Sequence, residues 1–333
     1  LLKKKIDLYI ITANNNKKKF FNNKIKFISP RNNKWNNSSR LIKTLICFGL
    51  LLSRLPTRNI SLFSFQSNIS AIILSKILGL KITIRLNTST DKYINNYTKF
   101  FLFKLCYSMC DNIIVNSLEF KKNLKKILKL NSIAIYNPIK RNDKKKIAIR
   151  YFSKFKGLKI LSIGRLTDQK DQITILKALN ILNQKKINFR FFLIGGGIKM
   201  NDLRNYIKIN NLSNRVRLTG FKINAFKYIE SSDLFILSSK FEGLPNVLIE
   251  AQVRGVPIIS SDCSSGPKEI LKNGRLGILF KVGNFVSLSK FIINFYNNKK
   301  IALKKAKQAK KFLYRYDYEK NLDKYYKIIK KIL

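Results

Sequence analysis

Short apolar runs alternate with longer helical patterns through almost the whole chain, and this alternation limits the fold more than any other feature. In the first half, strand-like runs occupy Ile6–Thr12, Ile60–Phe65, Lys81–Leu86, Asn112–Val115 and Ser132–Tyr136. Helical patterns fill the gaps, notably Leu41–Leu55, Asn68–Leu78, Asn95–Met109 and Glu119–Leu128. The second half repeats the rhythm with strands at Leu158–Ile163, Phe189–Ile194, Val216–Thr219, Leu234–Leu237, Pro257–Ser260 and Gly277–Phe280. Helices are expected there from about Asp171 to Leu182 and over Met200–Asn210, and helical periodicity returns through Ile301–Leu333. Strands separated by helices must cross over and run parallel, so the class is α/β with sheets wrapped by helices. The 333 residues suit two such units, joined at Asn137-Pro138-Ile139 and the charged run Lys140–Lys146. Two doubly wound, Rossmann-like domains facing a central cleft are predicted, over residues 1–145 and 146–312. A ligand is expected in the crevice at the carboxyl ends of the strands.

Composition narrows the chemistry. The chain has no histidine, which excludes imidazole bases, Ser-His-Asp and Cys-His nucleophiles and His-ligated zinc. The 67 Lys and Arg against 17 Asp and Glu give a formal charge of +50, compatible with nucleic acid, anionic lipid or a phosphorylated substrate. Lys far outnumbers Arg and is spread evenly beside abundant Asn, Ile and Phe. Arg is the usual tool for bidentate phosphate and base recognition, so the surplus reads mainly as compositional bias and argues against nucleic acid as a partner. An anionic membrane surface stays open. Cys47, Cys106, Cys110 and Cys263 form no C-x-x-C pair and read as free thiols in a reducing, cytoplasmic setting. The run Leu41–Leu55 is shorter than the ~20 residues a membrane span needs. It is either a helix packed on a sheet or an interfacial helix flanked by Arg40, Arg54 and Arg58. Leu1–Lys5 reads as the tail of a helix that begins upstream, so the chain is expected to be N-terminally truncated.

Two segments carry chemistry. In Ser238–Ala251 a strand runs into a polar turn, and Gly243 and Pro245 precede a helix bearing Val247, Leu248 and Ala251. Free peptide N–H groups at such a helix start, with the positive end of its dipole, form a phosphate site. Glu242 stands in the turn and Glu250 within the helix, one for each flank of a ligand. Spacing alone leaves a surface Glu and a helix-interior Glu as an equal alternative. In Ser162–Asp171, Arg165 and Lys170 lie in the loop after the first strand of the second half, where two cations suit a diphosphate.

These segments, together with FFLIGGG (Phe191–Gly197), VRLTGF (Val216–Phe221) and FEGLPNVLIEAQVRGVPIISSD (Phe241–Asp262), resemble the retaining glycosyltransferases of family 4, also called group 1. The match runs from Leu158 to about Gly283; Ser64–Arg85 and Ile135–Pro138 are similar more loosely. The resemblance implies a GT-B fold, with residues 313–333 returning as a helix onto the N-terminal domain. It implies transfer of a hexose or N-acetylhexosamine from a nucleotide-diphosphate sugar, with retention, no bound metal and no cofactor beyond the donor. Carried over by position, Arg165 and Lys170 hold the diphosphate and stabilise the leaving group, while Glu242 lies beside the donor sugar and Glu250 meets the ribose hydroxyls. Gly164, Gly196, Gly243, Leu244, Asn246 and Val247 would complete the nucleotide-sugar site, and the glycines at 195–197 would admit nucleotide or linker backbone. The acceptor implied by family habit is a saccharide or lipid-linked saccharide of cell-envelope polysaccharide, reached at the inner face of the plasma membrane by a cytoplasmic or peripheral protein. The family's opening strand and Gly-rich loop are missing here. So is a histidine many members carry in the acceptor domain; Arg85 or Asn87 could supply polar contacts there. The rival reading is a non-catalytic basic protein that binds lipid or nucleic acid on a decayed glycosyltransferase scaffold.

Overall fold

A computed structural model describes residues 7–14, 25–54, 60–87, 96–139 and 149–332. The expected strand at Ile6 and the linker run Lys140–Lys146 fall partly or wholly outside these residues, as do Leu1–Lys5, Leu55 and Arg58.

The first half contains β1 (Tyr9–Ile11), β2 (Lys26–Ile28), α1 (Arg40–Arg54), β3 (Ser61–Ser64), α2 (Asn68–Ile77), β4 (Lys81–Leu86), α3 (Tyr97–Ser108), β5 (Asn112–Val115), α4 (Leu118–Leu128) and β6 (Ile133–Ala134). All pairings are parallel: β1 with β2 in one small sheet, and β3-β4-β5-β6 in another. Strand β2 has no counterpart in the sequence reading. Its three residues, Lys-Phe-Ile, are too short to register as an alternation. The core of this half sets Ile82, Ile84 and Leu86 of β4 against Ile72 of α2 and Phe120, Leu124 and Leu128 of α4.

The second half contains β7 (Leu158–Ile163), α5 (Gln172–Gln184), β8 (Phe189–Ile194), α6 (Met200–Ile209), β9 (Val216–Leu218), β10 (Leu234–Leu237), α7 (Asn246–Arg254), β11 (Ile258–Ser261), α8 (Pro267–Ile270), β12 (Ile278–Phe280), α9 (Phe285–Asn297), α10 (Lys300–Lys310) and α11 (Tyr318–Ile332). Its strands form one parallel sheet in the order β12-β11-β10-β7-β8-β9. Side chains of the central strands alternate between two buried faces. Leu158, Ile160, Leu234 and Ile236 meet α5 and α9 through Ile175, Leu179, Leu288 and Ile292. Leu161, Ile163, Phe235 and Leu237 meet Leu248, Ile249 and Ala251 of α7 on the other. Each such side chain contributes about 1.5–3 kcal/mol by leaving water, which is why these strands read as nearly unbroken apolar runs.

The chain runs outward through β7, β8 and β9, then returns to place β10 on the other side of β7. The order reverses between β7 and β10, and there the loops at the carboxyl ends splay apart to leave a crevice. The C-terminal helical stretch is broken by a tight 3-10 turn at Leu313–Tyr316. Beyond it, α11 lays Ile328 and Tyr325 against Ile114, Ile135 and Phe63 of the first half. The two chain crossings between halves lie side by side: Ile139 N–H donates to Tyr316 carbonyl at 3.0 Å, and Ile139 pairs with Asp317.

Candidate functional site

The two motif loops come together at the reversal point. The loop after β7 and the loop after β10 are joined by Lys240 N–H to Gln169 carbonyl (2.8 Å), Gln169 Nε2 to Phe241 carbonyl (3.0 Å) and Ser238 Oγ to Lys170 carbonyl (2.9 Å). At their junction Lys170 Nζ lies 2.5 Å from Glu242 Oε1, with the side chains only 15% and 8% exposed. The same carboxylate oxygen accepts from Ser239 Oγ at 2.6 Å, and Ser261 Oγ on β11 fixes the Ser239 carbonyl at 2.6 Å. Arg165 is exposed and forms no ion pair among the described residues. Its backbone is held by Gln172 Nε2, which donates to its carbonyl at 2.8 Å. The site therefore holds one neutralised cation and one free guanidinium, an arrangement that can take a polyanion.

Helix α7 supplies the other wall. Pro245 is its N-cap, so the N–H groups of the first turn are open at Asn246 and Val247. Leu244 is buried among the core residues beneath. Glu250, one turn further on, has its carboxyl pushed up to about 7 by burial, opposed only weakly by Arg254. Arg254 is committed elsewhere, to Glu230 at 3.0 Å. Glu250 is half-buried and makes no hydrogen bond among the described residues, so its carboxylate is an acceptor without a protein donor.

The glycines behave differently from the sequence reading. Gly195 and Gly197 admit the backbone of the Arg165 loop itself: a Cβ on Gly195 would strike the Gly164 carbonyl, and one on Gly197 the Leu166 carbonyl. Gly196 joins the site through that loop, its carbonyl accepting Leu166 N–H at 3.0 Å. Gly243 admits protein from the other half. A Cβ there would overlap the Asn87 carbonyl and lie 2.9 Å from Asn116 Nδ2.

The first half thus closes onto the turn that bears Glu242. Asn116 Nδ2 donates to the Asn87 carbonyl at 3.1 Å. Arg85 at the end of β4 donates to Asn87 Oδ1 at 2.5 Å and to Asn137 Oδ1, and Asn137 Nδ2 donates to Asn246 Oδ1 at 2.5 Å. The Arg85 guanidinium is stacked between the rings of Phe65 and Tyr325, each 5.9 Å away. Sequence reasoning missed Ser239, Ser261, Gln169 and Asn137; no local pattern marks a serine or amide that acts by orienting another residue. Glu269 was missed as well. Its carboxylate reaches Leu118 N–H at 3.1 Å, Glu119 N–H at 2.7 Å and the hydroxyl of Tyr136, all in the first half. No group of three or more Cys, Asp or Glu able to hold a metal occurs among the described residues.

With this geometry established, comparison with known proteins is informative. Residues 143–312 match the family described as glycosyl transferases group 1. An uncharacterized glycosyltransferase of Methanocaldococcus jannaschii is 33% identical over 222 residues, covering 62% of this chain and 55% of that protein. The Campylobacter jejuni N-acetylgalactosamine-N,N'-diacetylbacillosaminyl-diphospho-undecaprenol 4-alpha-N-acetylgalactosaminyltransferase is 29% identical over 225 residues, covering 64% and 60%. The chain therefore spans less than two thirds of the length of these curated relatives. Among solved structures, Anabaena HepE in complex with UDP and glucose superposes with a TM-score of 0.75 at 17% identity, covering 92% of this chain and 86% of that one. That likeness gives the fold: two Rossmann-like units of the GT-B type.

Proposed function

Because the chain belongs to the group 1 glycosyl transferases, we propose that it moves a hexose or N-acetylhexosamine from a nucleotide-diphosphate sugar to a glycan or lipid-linked acceptor of the cell envelope. The observation that carries this reading is the buried Lys170–Glu242 pair beside an unpaired Arg165 at the start of α7. In the proposed reaction the bond between the anomeric carbon and the leaving phosphate oxygen breaks, and charge accumulates on that oxygen. Arg165, Lys170 and the open N–H groups of α7 stabilise that charge, which needs neither a metal nor an imidazole. The acceptor hydroxyl attacks the same face and its proton passes to the departing phosphate, so configuration is retained. Glu242, fixed by Lys170 and Ser239, orients the donor sugar, and unpartnered Glu250 accepts from the ribose hydroxyls.

A lipid-linked acceptor is in keeping with the Campylobacter jejuni relative, whose name includes diphospho-undecaprenol. The acceptor reading also draws on helix α3, whose Tyr97, Phe101 and Leu105 are exposed along one stripe. Lys99 and Lys104 lie on the same helix, which starts on the cleft side of the sheet after β4. Such a surface suits contact with anionic lipid at the inner membrane face. No helix among the described residues is long and apolar enough to cross a membrane. The rival reading, a non-catalytic basic protein, gives no reason for a Lys170–Glu242 ion pair at the junction of the two motif loops.

A thermal-shift screen of UDP, GDP and ADP with their sugars tests the donor half. A ligand at 100 times its Kd should add about 2.7 kcal/mol of stability. No shift with any nucleotide would overturn the donor reading. Failure to sediment with anionic liposomes at low salt would remove the membrane part alone.

A further inference from the structure

One carboxylate of the second half receives three donors from the first. Glu269 lies on α8, and its two oxygens divide the work: Oε1 accepts Leu118 N–H and the Tyr136 hydroxyl, and Oε2 accepts Glu119 N–H. Helix α4 already has an ordinary cap, since Ser117 Oγ accepts Phe120 N–H at 3.1 Å. Glu269 therefore adds a second cap, an anion from the other half, to the positive end of that helix. On its own side the residue is held firmly. Gly266 caps α8 with φ +35°, and a Cβ there would overlap the Gly243 carbonyl oxygen and lie 2.6 Å from Pro245 Cδ. Arg315 donates to the Glu269 and Ile270 carbonyls, each at 3.4 Å. On the other side, Tyr136 precedes Asn137, whose amide bonds Asn246 at the head of α7. Tyr136 also packs edge-on against Tyr316 at 5.3 Å, beside the point where the chain crosses between halves.

We propose that Glu269 is a positioning residue that latches the two halves in the closed arrangement, with the acceptor-side strand ends against the turn bearing Glu242. This rests on the donor-site reading above. Hydrogen bonds of 2.7–3.1 Å are lost within about 1 Å of opening, so the contact distinguishes closed from open sharply. Glu269 and the peptide groups of Leu118 and Glu119 are not fully buried, so water replaces each partner when the halves part. The latch can therefore release without stranding a polar group, as a cycle of substrate entry and product release requires.

The test compares Glu269→Gln, Glu269→Asp and Tyr136→Phe with the parent full chain. Glu269→Gln offers an amide where two peptide N–H groups need an anion. Its transfer kcat/KM should fall about 10–100-fold, the range expected when reacting groups are misplaced by about 1 Å. UDP affinity by calorimetry should stay within about twofold, because the donor contacts are untouched. Solution scattering should show a larger radius of gyration, and amide exchange should rise at Gly243–Asn246 as well as at Leu118 and Glu119. Faster exchange at Leu118 and Glu119 alone would mean simple loss of a cap and would overturn the proposal. Glu269→Asp keeps the charge and should recover part of the effect. Tyr136→Phe leaves the helix contact intact and should give a smaller change of the same sign, even if Glu269→Gln fails to fold. Scattering and exchange identical to the parent, or a fall in UDP affinity in step with transfer, would also overturn it. If the parent binds no nucleotide, the donor reading fails, while scattering and exchange still decide the latch.

Discussion

Replacing Lys170 with Ala should destabilise the protein substantially, and a second change should repair the damage without restoring function. At 2.5 Å and an effective dielectric constant near 20, the Lys170–Glu242 attraction is about 7 kcal/mol. Desolvating two ions cancels most of that, so removing the pair together is close to neutral. Removing one partner is different. Glu242 would stay 8% exposed with only Ser239 to satisfy it, and an uncompensated buried charge costs about 3–5 kcal/mol. For a domain of this size 1 kcal/mol moves Tm by about 2–4 °C, so Lys170→Ala should melt at least about 6 °C lower. Lys170→Ala/Glu242→Gln should regain most of the loss, since the amide can still accept from Ser239 and carries no charge. A double-mutant cycle by calorimetric melting would then give a coupling of about 2 kcal/mol or more. Transfer activity should fall steeply in all three variants, because each lacks the Lys170 cation for the phosphate, the Glu242 carboxylate for the donor sugar, or both, and Arg165 alone does not replace them. If both single variants melt within about 1 °C of the parent, or the double variant is no better than the worse single one, the pair is not the buried, interdependent unit described above.

Glu250 gives a pH-dependent prediction. Its folded value of about 7 lies above its ordinary 4.5, so the neutral form is favoured on folding, and the cost of ionisation is absent in acid and complete above pH 7. Glu250→Gln should therefore melt higher than the parent at pH 8, by at most about 3 kcal/mol, and show no gain at pH 4. Parent nucleotide affinity, measured by calorimetry, should rise as pH climbs through 7, and the Gln variant should bind weakly at every pH. Gly243→Ala should leave the second half folded and wedge the first away from it, because its methyl would occupy the place of the Asn87 carbonyl. Scattering should show the expansion, and transfer should fall by more than nucleotide affinity. Gly195→Ala should instead reduce Tm, since its methyl would strike the Gly164 carbonyl at the carboxyl end of the sheet. Overpacking of that kind costs about 1–3 kcal/mol, measurable by chemical denaturation.

Sequence made the second half legible because its central strands are buried on both faces. β7, β8 and β10 are largely apolar, interrupted only by Lys159, Ser162 and Arg190, and their predicted spans agree with the structure to the residue. The first half was harder. β2 is a three-residue strand among Asn and Lys, and β6 is only Ile133–Ala134, so periodicity had too little chain to act on. At the site, Glu242 and Lys170 are 72 positions apart; resemblance to a family assigned both to one donor site, and their ion pair is visible only in the structure. Glu269 has partners 133 to 151 positions away and no motif of its own, so nothing local could have marked it. The triple glycine was recognised as a place of close approach, and the structure shows the neighbouring loop against Gly195 and Gly197.

The paired crossing at Ile139 and Tyr316–Asp317 limits how the halves can move. A single flexible tether would leave one body free to tumble about three axes relative to the other. Two strands crossing together, joined by a 3.0 Å peptide bond-to-bond contact, leave chiefly one rotation, a swing about the line they share. Displacement in such a swing grows with distance from the axis. Groups beside it need shift only slightly between open and closed states. The far lip of the cleft travels furthest, and acceptors of different bulk would be sorted there by how wide an arc they demand.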